Sequence, residues 1–363
     1  LLFLALEFKY LFLLFHNKSF LFNFQIPLRM KKIAILLVLV VCGAIGKLSA
    51  QQNPMFTKYF FNALAYNPAY AGSANALSVT ALYRNQWITF GNGAPKTYTV
   101  SVHSPLRNEK VALGFNLVHD EIGPSSHTIP MASFAYRIKA QGGKSTLSFG
   151  LQGGIDWYRA NLTGLELKDK DDPNFKFNPN QILPNFGAGI YYQAPKWFAG
   201  FSAPFLINNE LRTVQNTGAT SIAKQYRHYN LSAGLILELS KNVVFRPMAL
   251  WKNVGMFMEK ADGLSYGAPN ELDLDASFLF NKSLWLGAAY RTALESPLKA
   301  GVSSPDSFDV WFQYLFKNGL RLGAAYDYHL TPLQQVSTGS FEIMLGYDFG
   351  HITKDKIVHV RYF

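Results

Sequence analysis

Leu147-Ser148-Phe149-Gly150-Leu151-Gln152-Gly153-Gly154-Ile155-Asp156-Trp157-Tyr158 alternates with a period of two. Leu147, Phe149, Leu151, Gly153, Ile155 and Trp157 make one face, and Ser148, Gly150, Gln152, Gly154, Asp156 and Tyr158 make the other. In an extended chain successive side chains point to opposite sides, so this stretch is a strand with one apolar face. Two later stretches repeat it. Leu320, Leu322, Ala324, Tyr326 and Tyr328 oppose Arg321, Gly323, Ala325 and Asp327. Phe341, Ile343, Leu345, Tyr347 and Phe349 oppose Glu342, Met344, Gly346 and Asp348. One face is greasy and ends in aromatics, while the other carries Gly and scattered charge. A strand with lipid outside and a polar lumen inside has this pattern.

Alternation alone also fits a large soluble sandwich. The connections separate the two. Short ones at Leu106–Glu109, Ala140–Lys144, Ala194–Pro195, Ser240–Lys241, Asn281–Lys282 and Lys317–Gly319 alternate with long ones. The long set includes Asp120–Thr128, Arg159–Leu183, Leu206–Gln225, Asn253–Ala268, Thr292–Pro305 and Leu330–Ser337. Outer-membrane barrels alternate in this way between periplasmic turns and external loops. The expected fold is therefore all-β: an antiparallel transmembrane outer-membrane β-barrel of about 14 strands, occupying residues 74–350. Closure follows from chemistry, because an open sheet edge in hydrocarbon leaves backbone groups without partners. Phe349 or Phe363 would supply the terminal aromatic of such a barrel. Composition agrees: charged residues are 16% of the chain, against about 25% in soluble domains. After residue 50 no stretch approaches the roughly 20 apolar residues of a spanning helix.

Upstream of the barrel the chain divides further. Residues 1–29 lack Met and are dominated by Leu, Phe, Lys and Asn, the mixture that AT-rich non-coding DNA translates to, so an upstream translation artefact is expected there. Residues 30–50 have the order of a secretory leader. Lys31 and Lys32 form its basic start, Ile33 to Val41 its apolar run, and Leu48-Ser49-Ala50 its cleavage site. Val41 before Cys42 argues against a lipidation signal. Cleavage after Ala50 would remove the single cysteine, so neither disulfides nor thiol chemistry are expected. It would also remove six of the 34 Lys/Arg and one of the 23 Asp/Glu, leaving a net charge of +6. That is too small over 313 residues to suggest nucleic acid.

Residues 51–73 read differently again. Asn53, Pro54, Phe56, Tyr59, Phe61 and Asn62 belong to a stretch with helical rather than alternating apolar spacing, and Asn67, Pro68, Ala69, Tyr70 and Gly72 to a turn. A short helix and tight turn are expected, on the periplasmic side or tucked into the barrel mouth, and these residues are candidates for binding a partner. The tail, residues 351–363, lies on the same side in this scheme.

These residues carry a family likeness. Gln52-Asn53-Pro54 through Phe61-Asn62 to Asn67-Pro68-Ala69-Tyr70-Ala71-Gly72-Ser73 resembles the N-terminal signature of the PorP/SprF family, type IX secretion system membrane proteins of Bacteroidetes. Arg84-Asn85-Gln86-Trp87, Asp120-Glu121-Ile122-Gly123-Pro124, Pro184-Asn185-Phe186-Gly187, Arg227-His228-Tyr229, Gly339-Ser340-Phe341-Glu342 and Arg361-Tyr362-Phe363 continue the resemblance in order. Asn53 stands where Asp is usual and Phe341 where His is usual. The resemblance implies a part in protein export across the outer membrane, coupled to gliding motility in some members. Its implied partners are the periplasmic ring and lipoprotein subunits, or a secreted surface adhesin.

Catalytic chemistry finds little support. The histidines lack HxxxH or HExxH spacing, and Lys168-Asp169-Lys170-Asp171-Asp172-Pro173 lacks the Gly and bidentate Glu of a calcium loop. No nucleophile elbow, Walker loop or dinucleotide fingerprint occurs. Neither enzyme activity nor a cofactor or metal is expected. The polar strand parity is more informative. Arg84, Arg137, Asp156, Glu238, Asp273, Asp275, Arg291, Arg321, Asp327, Glu342 and Asp348 all fall on it. Charges of both signs in a narrow lumen must pair, which favours a braced, plugged interior over an open pore. The leading expectation is thus a barrel subunit that binds secretion partners. The alternative, a porin or small-solute transporter, would conduct steadily.

Overall fold

In the computed structural model the described residues are 56–107, 109–140, 142, 144–166, 175–212, 221–255, 270–294 and 304–349. The strands are β1 (Ser78–Asn85), β2 (Lys96–Pro105), β3 (Val111–Ile122), β4 (Ser125–Ala140), β5 (Ser145–Ala160), β6 (Asn180–Ala194), β7 (Trp197–Phe205), β8 (Glu210–Arg212), β9 (Ser221–Lys224), β10 (His228–Leu235), β11 (Leu237–Glu238), β12 (Val243–Val254), β13 (Glu271–Phe280), β14 (Leu284–Ala293), β15 (Ser304–Leu315), β16 (Leu320–His329) and β17 (Ser340–Asp348). β8 and β9 form a separate hairpin within the connection from β7 to β10. β10 and β11 are interrupted only by Ile236 and both pair with β12, so together they are one wall strand. The wall then has 14 strands, each antiparallel to its neighbours. β1 pairs β17 from Ser78↔Asp348 to Asn85↔Phe341, and no edge is left open.

The alternation read from the sequence sets the two faces. Leu151 is 62% exposed on the outside while Gln152 next to it is 7% exposed in the lumen. Phe134, Tyr136, Ile190, Phe312, Ile343 and Leu345 point outward in the same way. An apolar exterior of this extent is unfavourable in water and matches hydrocarbon.

One expected loop is not a loop. Most of Asp120–Thr128 is strand, and the connection between β3 and β4 is the two-residue turn Gly123-Pro124. β4 and β5 run 16 residues each, well beyond the roughly 9–11 that a bilayer requires. Their far ends form a wall above the membrane. There Tyr158, Ala160 and Leu162 pack with Phe175, Leu183 and Leu211.

The N-terminal segment does not remain on the periplasmic side. It enters the lumen at the long-loop end with Phe56 and Thr57 and leaves it at the short-turn end with Gly72 and Ser73, just before β1. A 3-10 turn (Tyr59–Asn62), the one-turn helix α1 (Ala63–Tyr66) and a second 3-10 turn (Pro68–Tyr70) make up the segment. Its start is local chemistry: the Asn67 side chain accepts from the Ala69 N–H at 2.9 Å, and Pro68 follows at the first helical position.

Candidate functional site

Barrel diameter grows with strand number, and 14 strands leave a lumen too wide for wall side chains alone to fill. Here the chain fills it with its own residues 56–73. Phe61, Leu64, Ala69 and Ala71 are 2% exposed or less, and Asn62, Asn67, Pro68, Tyr70 and Gly72 are buried with them. Small cavities lie between plug and wall. One cavity of about 30 Å³ lies beside Tyr59, Tyr66 and Tyr191, and one of about 60 Å³ beside Phe56, His228 and Lys252. These hold a few waters at most.

At the long-loop end the grip is electrostatic. The Thr57 and Lys58 N–H groups donate to the two Glu342 carboxylate oxygens at 2.8 and 3.2 Å. Lys58 Nζ lies 3.2 Å from Asp309 and 3.7 Å from Asp275. Thr57 Oγ1 donates to Asp327 at 3.0 Å and accepts from Arg84, which also donates to Asp327 at 2.8 Å. Arg291 ties the group together. Its guanidinium lies 3.1 Å from Glu271, 3.2 Å from Asp273, 3.6 Å from Asp309 and 3.9 Å from Asp327. It also donates to the backbone carbonyls of Phe56 and Thr57. Burying a charge is costly unless it is paired and hydrogen-bonded, and here wall and plug neutralise one another. Arg246 takes another route: it stacks 4.0 Å over the Trp285 ring and 4.8 Å over Phe60, while Trp311 Nε1 donates to Asp275 at 2.7 Å.

At the short-turn end the grip is steric. A Cβ built on Gly150 would lie 2.1 Å from the Ala69 nitrogen, and one on Gly189 would lie 2.1 Å from Asn67 Oδ1. Gly150 is therefore a socket into which the plug backbone descends, and Gly189 makes room for the Asn67 side chain. Asn67 Nδ2 donates to the Ile190 carbonyl, and the Gly72 N–H donates to His103 Nδ1 at 3.1 Å. Gly72 has φ +76°, a conformation that favours glycine, and a Cβ built on it would lie 2.5 Å from that of Ala112. Tyr70 packs edge-on against both His103 and Tyr191.

The predicted residues thus fall into distinct places. Asn53, Pro54 and the 351–363 tail lie outside the described residues. The other motif residues, Phe56, Tyr59, Phe61, Asn62, Asn67, Pro68, Ala69, Tyr70 and Gly72, are buried against the barrel's own wall and do not form a free surface. Among the predicted charges, Arg84, Asp273, Asp275, Arg291, Asp327 and Glu342 converge on the plug. Arg321 and Asp348 pair at 3.2 Å near the short turns. Arg137 donates to Asn75, and Asp156 meets His127 at 2.9 Å and Gln225 at 2.5 Å above the plug. Glu238 shares the lumen parity but sits at the rim, 57% exposed and 3.9 Å from Lys196. At that same rim Lys139 pairs with Glu109 and holds its carboxyl below the ordinary carboxylate range. Sequence reasoning passed over Thr57, Lys58, Asp309 and Arg246.

The chain matches the family described as type IX secretion system membrane protein PorP/SprF over residues 48–347. No curated protein matches it. Solved structures similar to it include the Acinetobacter baumannii outer membrane protein Omp33, at 8% identity and TM-score 0.41, covering 76% of this chain and 98% of that one. The CymD monoaromatic hydrocarbon channel is 14% identical with TM-score 0.47, covering 82% and 94%. The Ralstonia pickettii toluene transporter TbuX is 10% identical with TM-score 0.45, covering 78% and 92%.

Proposed function

Because the chain belongs to the PorP/SprF family of type IX secretion system membrane proteins, and is an outer-membrane β-barrel, we propose that it serves as a non-catalytic barrel subunit of the secretion or gliding apparatus. It acts by binding secretion components or a surface adhesin. The observation that supports this reading is the lumen. Residues 56–73 fill it from end to end, with Lys58 locked between Asp309 and Asp275. Among the described residues this segment occupies the lumen, which argues against a solute path and leaves the two rims and the long connections as the working surfaces. The segments 159–183 and 206–225 are the largest of these on the outer side.

A tagged barrel purified from detergent-solubilised outer membrane after cross-linking should carry secretion subunits or an adhesin with it. Recovery of neither would count against the binding role. Planar-bilayer recording separates the porin alternative. The proposed scaffold gives at most rare, brief openings, and a large steady conductance would overturn it.

A further inference from the structure

The charge of this barrel is distributed unevenly between its ends. The six short turns are 106–110, 141–144, 195–196, 239–242, 281–283 and 316–319. Every one of them contains a lysine: Lys110, Lys144, Lys196, Lys241, Lys282 and Lys317. With Arg107 these turns hold seven cations against one carboxylate, Glu109. The connections at the opposite end carry eight Lys/Arg and eight Asp/Glu. The short-turn rim alone therefore has a net charge of +6, while the long-loop rim is neutral. All six lysines are exposed.

Directly beside these cations lies an outward belt of aromatics. Trp197 packs on Tyr192 with ring centres 4.6 Å apart, Phe316 on Tyr314 at 4.7 Å, and Phe349 on Tyr347 at 4.7 Å. Aromatic rings of this kind mark the level of the lipid headgroups. The turns are two to five residues long, so their ammonium groups stay within a side chain's length of that level.

We propose that the short-turn rim is a binding collar for anionic phospholipid headgroups of the inner leaflet of the outer membrane. The cations are spread around the whole circumference, one turn after another, and not gathered on one side. An annulus of headgroups meets such a ring everywhere, whereas a docked protein covers an arc. Each ammonium near an anionic surface favours binding on the order of five-fold. The collar fixes the depth of the barrel while the neutral long-loop rim stays free for other contacts. It is independent of which protein those loops bind.

The test uses the full barrel in phosphatidylcholine vesicles containing equal fractions of dibrominated phosphatidylglycerol or dibrominated phosphatidylcholine, with tryptophan emission as the readout. Trp197 is exposed at the collar, and bromine quenches it on contact. Brominated phosphatidylglycerol should quench several-fold more effectively at low salt, with the excess shrinking as salt rises. The excess should vanish in Trp197→Phe, which identifies the reporting end. It should also vanish in the four-site variant Lys196→Gln, Lys241→Gln, Lys282→Asn, Lys317→Gln, which removes the lysine beside the reporter and whose retained heat-modifiable gel mobility shows it folded. Asn is used at 282 because φ there is +57°. Equal quenching by the two lipids, or an excess that survives the four substitutions, overturns the collar. So does a four-site variant that keeps the lipid preference but loses a periplasmic protein from the solubilised complex. In that case the rim serves a protein.

Discussion

The two halves of the lumen hold one peptide by different physics. Near the long loops, Thr57 and Lys58 are caught among Glu342, Asp327, Asp309 and Asp275, with Arg84 and Arg291 supplying the remaining positive charge. Near the short turns, Pro68 to Gly72 lie on Gly150 and beside Gly189 and Ala112, and shape does the holding. Charge pairing tolerates small displacements but not the loss of a partner, since the remaining ion is then buried alone. A steric socket tolerates a change of charge nearby but not an added methyl. The upper half should therefore decide whether the plug is retained. The lower half should decide where its backbone sits as it turns into β1.

The severest challenge to this division is Arg291→Met. Removing the cation strands Asp273, while Glu271 keeps Lys252 at 2.5 Å and Asp309 keeps Lys58 at 3.2 Å, and the cost should be about 3–5 kcal/mol. A corresponding fall in the denaturant midpoint of the heat-modifiable band, converted through the slope of unfolding free energy with denaturant, would be the expected outcome, with frequent channel openings in bilayers. Lys58→Met comes next, at about 3 kcal/mol, because Asp309 keeps Arg291 at 3.6 Å. A barrel that remains as stable and as closed as before would show that the upper grip is not electrostatic. Gly150→Ala probes the lower grip. Its methyl meets backbone atoms of Pro68 and Ala69, which cannot rotate away, and overpacking of this kind costs about 1–3 kcal/mol. Combining Lys58→Met with Gly150→Ala tests whether the two grips are separate. Additive losses mean two independent contacts, and a shortfall means the plug leaves as one unit.

The same contrast explains what could be read in advance. The wall was legible because alternation is a counting signal: Leu151 out and Gln152 in follow from parity alone. It failed where the strands rise above the lipid. His119-Asp120-Glu121 and Ser125-Ser126-His127 are polar on both faces, so they resemble a loop although they are paired strand. The plug was half legible. Its aromatics announced burial but not against what, and glycines on the lumen parity gave no hint that they were sockets. Lys58 left a trace that could have been used. Around the start of the plug, the wall carboxylates Glu271, Asp273, Asp275, Asp309, Asp327 and Glu342 outnumber the wall cations Arg84, Arg246, Lys252 and Arg291 by two. An excess of buried carboxylates in a barrel wall calls for a cation from elsewhere in the chain. The only lysine or arginine between residue 51 and β1 is Lys58.

The smallest effect belongs to Asn67, which serves both the plug's own geometry and its seat. Its Oδ1 caps the turn at the Ala69 N–H, and its Nδ2 reaches the Ile190 carbonyl across the socket. Loss of a cap costs about 1 kcal/mol, and the wall bond is the part that depends on docking. Asn67→Asp keeps the capping oxygen but has no N–H to donate, whereas Asn67→Ala loses both. If the lower grip is one of shape, Asn67→Ala should lower stability by about 1 kcal/mol and leave the bilayer recordings quiet, because Gly150 still holds the backbone of Pro68 and Ala69. Steady openings in Asn67→Ala would instead mean that a single hydrogen bond, not the glycine sockets, keeps the lower plug in place.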